Sequence, residues 1–146
     1  MIQRIQSLFL LLAGGATLSL FGLPFASTPV AVQSSPLLND SVFNLQDNII
    51  LLVLFILGGL LSIGAIFLFK NRPLQMKLAR VSLIANLLGM AVVAFLYLND
   101  ASNQGDIEPS DGIGAYMPVV AMVFLFFAIR YIKKDESTVR SMDRLR

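Results

Sequence analysis

Residues 49–69 read IILLVLFILGGLLSIGAIFLF, a run from Ile49 to Phe69 interrupted only by Ser62 and three glycines. At about 1.5 Å of rise per residue, a helix of this length crosses a hydrocarbon core of roughly 30 Å, and nothing in it demands water. Three further apolar stretches flank it. The first spans about residues 5–26, the third 78–98 and the fourth 113–132, leaving loops at 27–48 and 99–112 and a tail at 133–146. The chain is therefore expected to be an all-α membrane protein of one domain, with four transmembrane helices in an up-down bundle.

Charge orients the bundle. Arg4 precedes the first stretch; Lys70, Arg72, Lys77 and Arg80 surround the connector between the second and third; Arg130, Lys133, Lys134, Arg140, Arg144 and Arg146 end the chain. Those eleven are all of its Lys and Arg residues, and they share one side. The opposite loops hold Asp40, Asp47, Asp100, Asp106, Glu108 and Asp111. Because the loops are short, the positive-inside rule places both termini in the cytoplasm. A signal peptide is the competing reading of the first stretch, since Arg4 makes a basic n-region and Phe25-Ala26-Ser27 or Val30-Ala31-Val32 resembles a cleavage site. Its apolar run exceeds the usual 7–15 residues, which favours a retained anchor. Cleavage would leave three helices and an exported amino terminus.

Composition excludes much chemistry. The chain has 146 residues, 56% hydrophobic and 14% charged, with neither Cys nor His. Thiolate and imidazole metal ligands, disulfides, the usual haem ligands and the commonest nucleophile–base pairs are thereby removed. No enzyme activity and no cofactor are expected. A net charge of +2, with cations confined to span ends, does not point to nucleic acid. The acids Asp106, Glu108 and Asp111 match no full calcium loop, and an acidic loop already follows from topology.

Within the spans, Asn86 is the informative polar residue. It reads as an intramembrane polar contact, either interhelical hydrogen-bond glue or, less in keeping with the absence of any charge at mid-span, a ligand contact. Small residues four apart, Gly15 with Ser19, Gly58 with Ser62 and Ala85 with Gly89, allow close helix approach. Arg80 lies one turn inside the third span, where a long side chain can snorkel outward. Pro73 suits a first helical turn, and Pro118 is expected to distort the outer end of the fourth helix. In the first outer loop, Val30-Ala31-Val32 and Val42-Phe43 suggest a small hairpin across the helix ends; residues 100–114 read as an exposed polar connector. The paired glycines Gly14-Gly15 and Gly58-Gly59 bring no alignable motif with them, so no internal repeat is inferred.

The end of the chain, Ile132-Lys133-Lys134-Asp135-Glu136-Ser137-Thr138-Val139-Arg140-Ser141-Met142-Asp143-Arg144-Leu145-Arg146, reads as an amphipathic extension. Ile132, Glu136, Val139, Met142 and Leu145 fall near one stripe, and Glu136 can pair with Arg140 at i,i+4. That stripe suits a lipid surface or a cytoplasmic partner; the interspersed acids weaken a purely lipid-driven account.

Three segments together, MIQRIQSLFLLLA at the start, KNRPLQMKLAR in the connector and IKKDESTVRSMDRLR at the end, resemble the Bacteroidota membrane proteins grouped as domain of unknown function forty-two ninety-three. SVFNLQDN before the second span also fits, whereas Ile129 stands where the family pattern often has Asn. The resemblance implies a four-helix inner-membrane protein and carries no activity with it. The expected role is a structural or accessory membrane subunit. Its inner rim of Lys70, Arg72, Lys77 and Arg80, with Arg140, Arg144 and Arg146 on the tail, would engage a cytoplasmic protein or anionic lipid. The rival is a small transporter or channel for a neutral or lipid-like molecule, with a cavity lined by Asn86, Ser62 and Ser82. Tightly interlocked small residues would favour packing instead.

Overall fold

The computed structural model describes residues 2–103 and 107–143 of the chain. Four helices dominate: α1 Ile2–Leu18, α2 Ile49–Phe67, α3 Arg72–Asp100 and α4 Met117–Asp143. Three segments, Ile49–Phe67, Arg72–Asp100 and Ile113–Val139, are long and apolar enough to cross a membrane, whereas the apolar helical stretch Ile5–Phe21 is shorter. The first helix tightens into a 3₁₀ turn over Ser19–Phe21 and stops short of Ala26. Pro24 accounts for that stop, because it has no amide with which to continue the helix.

Local chemistry sets the other helix ends. Asn48 caps α2, its side-chain oxygen accepting the Ile50 amide at 2.9 Å. Asn71 accepts the Leu74 amide at 3.3 Å, so α3 begins at Arg72, well before Leu78, with Pro73 in its first turn. Pro118 lies in the first turn of α4, and the preceding Ile113–Ala115 forms a 3₁₀ turn instead of α-helix. At its far end α4 continues without a break through the tail to Asp143.

Successive helices are antiparallel, and they close into a ring in which α1 packs on α2 and α4, and α3 on α2 and α4. Two apolar clusters fill the ends. At the basic end Leu10, Ala13, Ala65, Met76, Ala79, Leu125, Ala128 and Ile132 are buried together. At the acidic end Leu20, Phe25, Val32, Leu38, Phe43, Leu45, Leu51 and Phe55 continue from the helices into a cap.

That cap is a three-stranded antiparallel sheet in the order β2-β1-β3, with β1 Ala26–Ser27, β2 Val42–Phe43 and β3 Ser110–Asp111. Ala26 lies opposite both Phe43 and Asp111. Val42–Phe43 is a strand, but it pairs with Ala26–Ser27 and not with the anticipated Val30-Ala31-Val32, which forms no strand; residues 100–114 in turn are more than an exposed connector, since Ser110–Asp111 supplies the third strand. Gly112 and Gly114 then donate their amides to Phe25 O and Pro24 O, each at 2.9 Å. The buried Asp100 carboxylate at the end of α3 accepts hydrogen bonds from Ser35 Oγ and, at 3.1 Å, from Asn103 Nδ2. Ser35 Oγ in turn accepts the Leu38 amide at 3.0 Å, pinning the first loop onto α3.

Asp47 has its carboxyl raised above the usual value, chiefly by burial and, to a smaller degree, by the charge of Asp40; the hydrogen bond from the Asn44 amide, 2.6 Å away, opposes this. The folded cap therefore holds that proton more tightly than the unfolded chain does. Its contribution to stability is full below the ordinary carboxylate range near 3.8 and is lost as pH rises through the higher folded value. Asp47→Asn, which keeps an oxygen for the Asn44 amide, is expected to remove this dependence without weakening the cap at neutral pH. Amide exchange at Asn44 followed from acid to neutral pH measures it, and faster exchange in the variant at neutrality would contradict the account.

Candidate functional site: the basic end

The α2–α3 turn and the last third of α4 build this end. Lys70, Lys77 and Arg80 are exposed, as the sequence suggested. Lys70 Nζ stands 6.0 Å from the centroid of Phe69, at the limit of a cation–π contact, and Arg80 Nη2 lies 3.1 Å from Met76 Sδ. Arg72 differs from its neighbours. Its Nε lies 3.1 Å from Asp135 Oδ2, with both side chains largely covered, so its charge is spent inside the protein. The carboxylate oxygen has no well-directed hydrogen bond, which makes the contact mainly Coulombic.

This ion pair fastens the start of α3 to the extension of α4. Ile132, one of the apolar residues of the expected tail stripe, is fully buried in the basic-end cluster and is not available to a partner. Val139 is half-buried. Arg140 lies within α4, and Arg144 and Arg146 lie outside the described residues. Asp135→Asn is expected to cost about 1–2 kcal/mol, between the values typical of exposed and of buried pairs. It should also speed amide exchange at residues 136–143. Unchanged exchange there would show that the pair does not hold the extension.

Asn86 is fully buried in the seam of α1, α2 and α3. Its Nδ2 donates to Ser82 O at 2.9 Å, and its Oδ1 accepts from Thr17 Oγ1 at 3.0 Å. Ser82 and Ser62 each donate to a backbone carbonyl of a neighbouring helix, Gly58 O and Leu10 O respectively, both at 2.7 Å. The glycines seat this polar column. A methyl group on Gly58 would stand 2.9 Å from Asn86 Nδ2, and one on Gly14 would stand 2.6 Å from Ile63. Small residues thus interlock around Asn86, Ser62 and Ser82, the arrangement expected of packing. Asn86→Ala should cost about 1–2 kcal/mol, since it removes one interhelical bond and leaves a small void. A melting temperature equal to that of the parent would refute the role of glue. One layer nearer the basic end, Gln6 Nε2 donates to Gln75 Oε1 at 3.4 Å between two fully buried side chains, leaving Gln6 Oε1 and Gln75 Nε2 without partners.

A family model described as Domain of unknown function (DUF4293) matches residues 2–145. The chain belongs to that family. No curated protein and no solved structure matches it. The DUF4293 assignment covers nearly the whole chain, so cap, seam and basic end all lie within the family's domain.

Two features of this DUF4293 domain were not singled out from the sequence. At the acidic end a recess of about 170 Å³ is lined by Phe25, Phe43, Met90, Val93, Tyr97 and Asp111, among others. Met90 and Ala94 are exposed, so it opens sideways on α3. The Tyr116 hydroxyl donates to Asp111 Oδ2 at 3.3 Å, while Asp106, its companion in the acidic set, lies outside the described residues. At the basic end a cleft of about 250 Å³ is lined by Phe127, Arg130, Tyr131 and Lys134. Their i, i+3, i+4, i+7 spacing is visible in the sequence, but topology alone already explained the two cations.

Proposed function

We propose that this DUF4293 protein is an integral membrane protein of four crossings, both termini cytoplasmic, in a bacterial inner membrane. It serves there as a structural or accessory subunit whose basic face and tail engage a cytoplasmic protein or anionic lipid headgroups. The observation that carries this reading is the contrast between the two parts of the basic end. Arg72 is locked to Asp135, whereas Lys70, Lys77, Arg80, Arg130, Lys133 and Lys134 all stand exposed at the ends of apolar helices. Packed glycines and satisfied serines in the seam favour this reading over a transporter or channel for a neutral or lipid-like molecule, because the expected cavity coincides with the interlocked layer. The sideways recess on α3 does not run between the two ends.

Orientation is tested first. The chain has no cysteine, so single cysteines introduced at Ser34 and Ser137, both exposed, report sidedness without background. A membrane-impermeant maleimide added to spheroplasts should label position 34 alone. Labelling of position 137 would reverse the topology and end the reading. Purification from the native membrane in mild detergent then compares the full chain with one ending at Thr138, which retains the Arg72–Asp135 pair. A protein or lipid lost with the last eight residues supports engagement through the tail, and one lost on replacing Lys70, Lys77 and Arg80 by Gln supports the rim. Retention in every variant would remove both.

A further inference from the structure

We propose that Arg130 and Lys134, above Phe127 and Tyr131, form a discrete site for one anionic glycerophospholipid. The proposal rests on the reading of the basic end as a membrane boundary and assigns to it a single occupant. Four lining residues share one face of α4 and enclose a cleft of about 250 Å³. Its rings are held in place before any ligand arrives. Phe9 of α1 stacks on Tyr131 at 5.5 Å with an interplanar angle of 10°, and on Phe127 at 5.6 Å and 30°.

Charge sets the headgroup. Among the described residues neither Arg130 nor Lys134 forms an ion pair, and Asp135, the acid next to Lys134, is turned away to Arg72. Two cations one helical turn apart, about 6 Å along the axis, can share one phosphodiester: the guanidinium offers a bidentate fork and the ammonium a point charge. The apolar surface sets the rest of the ligand. It leads from the cleft along α4 toward the middle of the helix through exposed Phe127 and Val123, with Phe126 beside them. An occupant must therefore carry a long apolar part as well as an anion. Acyl chains meet that demand, and a free phosphate or an acidic peptide does not.

The test is native mass spectrometry of the full chain in detergent micelles, titrated with phosphatidylglycerol and, separately, with phosphatidylethanolamine. Phosphatidylglycerol should bind preferentially. Replacing both cations, R130Q with K134Q, should weaken it by about thirtyfold, as two well-placed cations imply, and should leave the weaker phosphatidylethanolamine binding within about twofold. R130K should fall between, keeping charge and losing the fork. Should the double variant fail to fold, K134Q alone, at an exposed position, should show a loss of about fivefold. Equal binding of the two lipids by the parent chain, an equal fold-loss of both lipids in the double variant, or displacement by millimolar inorganic phosphate would each overturn the site. Micelles carry no sidedness, so that failure is distinct from a reversed topology, which only the cysteine labelling can reveal.

Discussion

Gly114→Ala is expected to lift the sheet off the helix ends and to lower stability by about 3 kcal/mol, at the upper end of what forced overpacking costs. A methyl group there would stand 2.5 Å from both Leu23 O and Pro24 O. The methyl meets backbone carbonyls, so no neighbouring side chain can rotate away to relieve the clash. Gly112 faces Pro24 O even more closely, which leaves the segment no room to slide. The amides of Gly112 and Gly114 would lose their acceptors together, and β3 would leave the sheet. Amide exchange at positions 112 and 114 reports the change, because both amides are bonded across to the first loop's approach, to Phe25 O and Pro24 O. Parent-like melting and parent-like protection of those amides would show that the close approach carries no load.

The second large effect is expected at the α2–α3 seam. A methyl group on Gly89 would lie 2.6 Å from Phe55 Cζ, and Phe55 is fully buried in the acidic-end cluster. Gly89→Leu should therefore force the two helices apart, again at about 3 kcal/mol. In lipid there is no hydrophobic drive to reseal them, since association rests on close packing and hydrogen bonds. The specific signature is rescue: Phe55→Ala, destabilising alone, should restore part of the loss when combined with Gly89→Leu. Coupling of about 1–3 kcal/mol is expected for such contacting residues. Additive losses in the double variant would mean that the ring and the glycine do not meet.

How legible this architecture was differs from element to element, and the reasons are physical. The second helix announced itself, because an apolar run capped by Asn48 has no other way to bury itself. Asn86 was equally readable, since a lone amide among apolar residues needs interhelical partners. The third strand was not. Both residues of Ser110–Asp111 are exposed, so its membership rests on backbone hydrogen bonds that leave no hydrophobic alternation. Gly112 and Gly114 were the available signal, two glycines alternating where the chain comes against another backbone. At the basic end, the cations were evident and their division was not. Arg72 meets Asp135 only because α3 and α4 lie side by side, and no local spacing links the two. Ile132 looked free for docking because a helical stripe does not reveal which neighbour covers it.

The cap also dictates an order of events during synthesis. Ser27 and Ser110, bonded across β1 and β3, are separated by 83 positions in the chain. The acidic end cannot close until the segment after α3 has emerged, although its own first strand is made some eighty residues earlier. In the interval, Ala26 and its neighbours present an open strand edge beside Phe25 and Phe43, and the chain passes through a stage in which that edge is exposed. The same delay makes the cap a register of completion: only a chain extended past Gly114 can hide it.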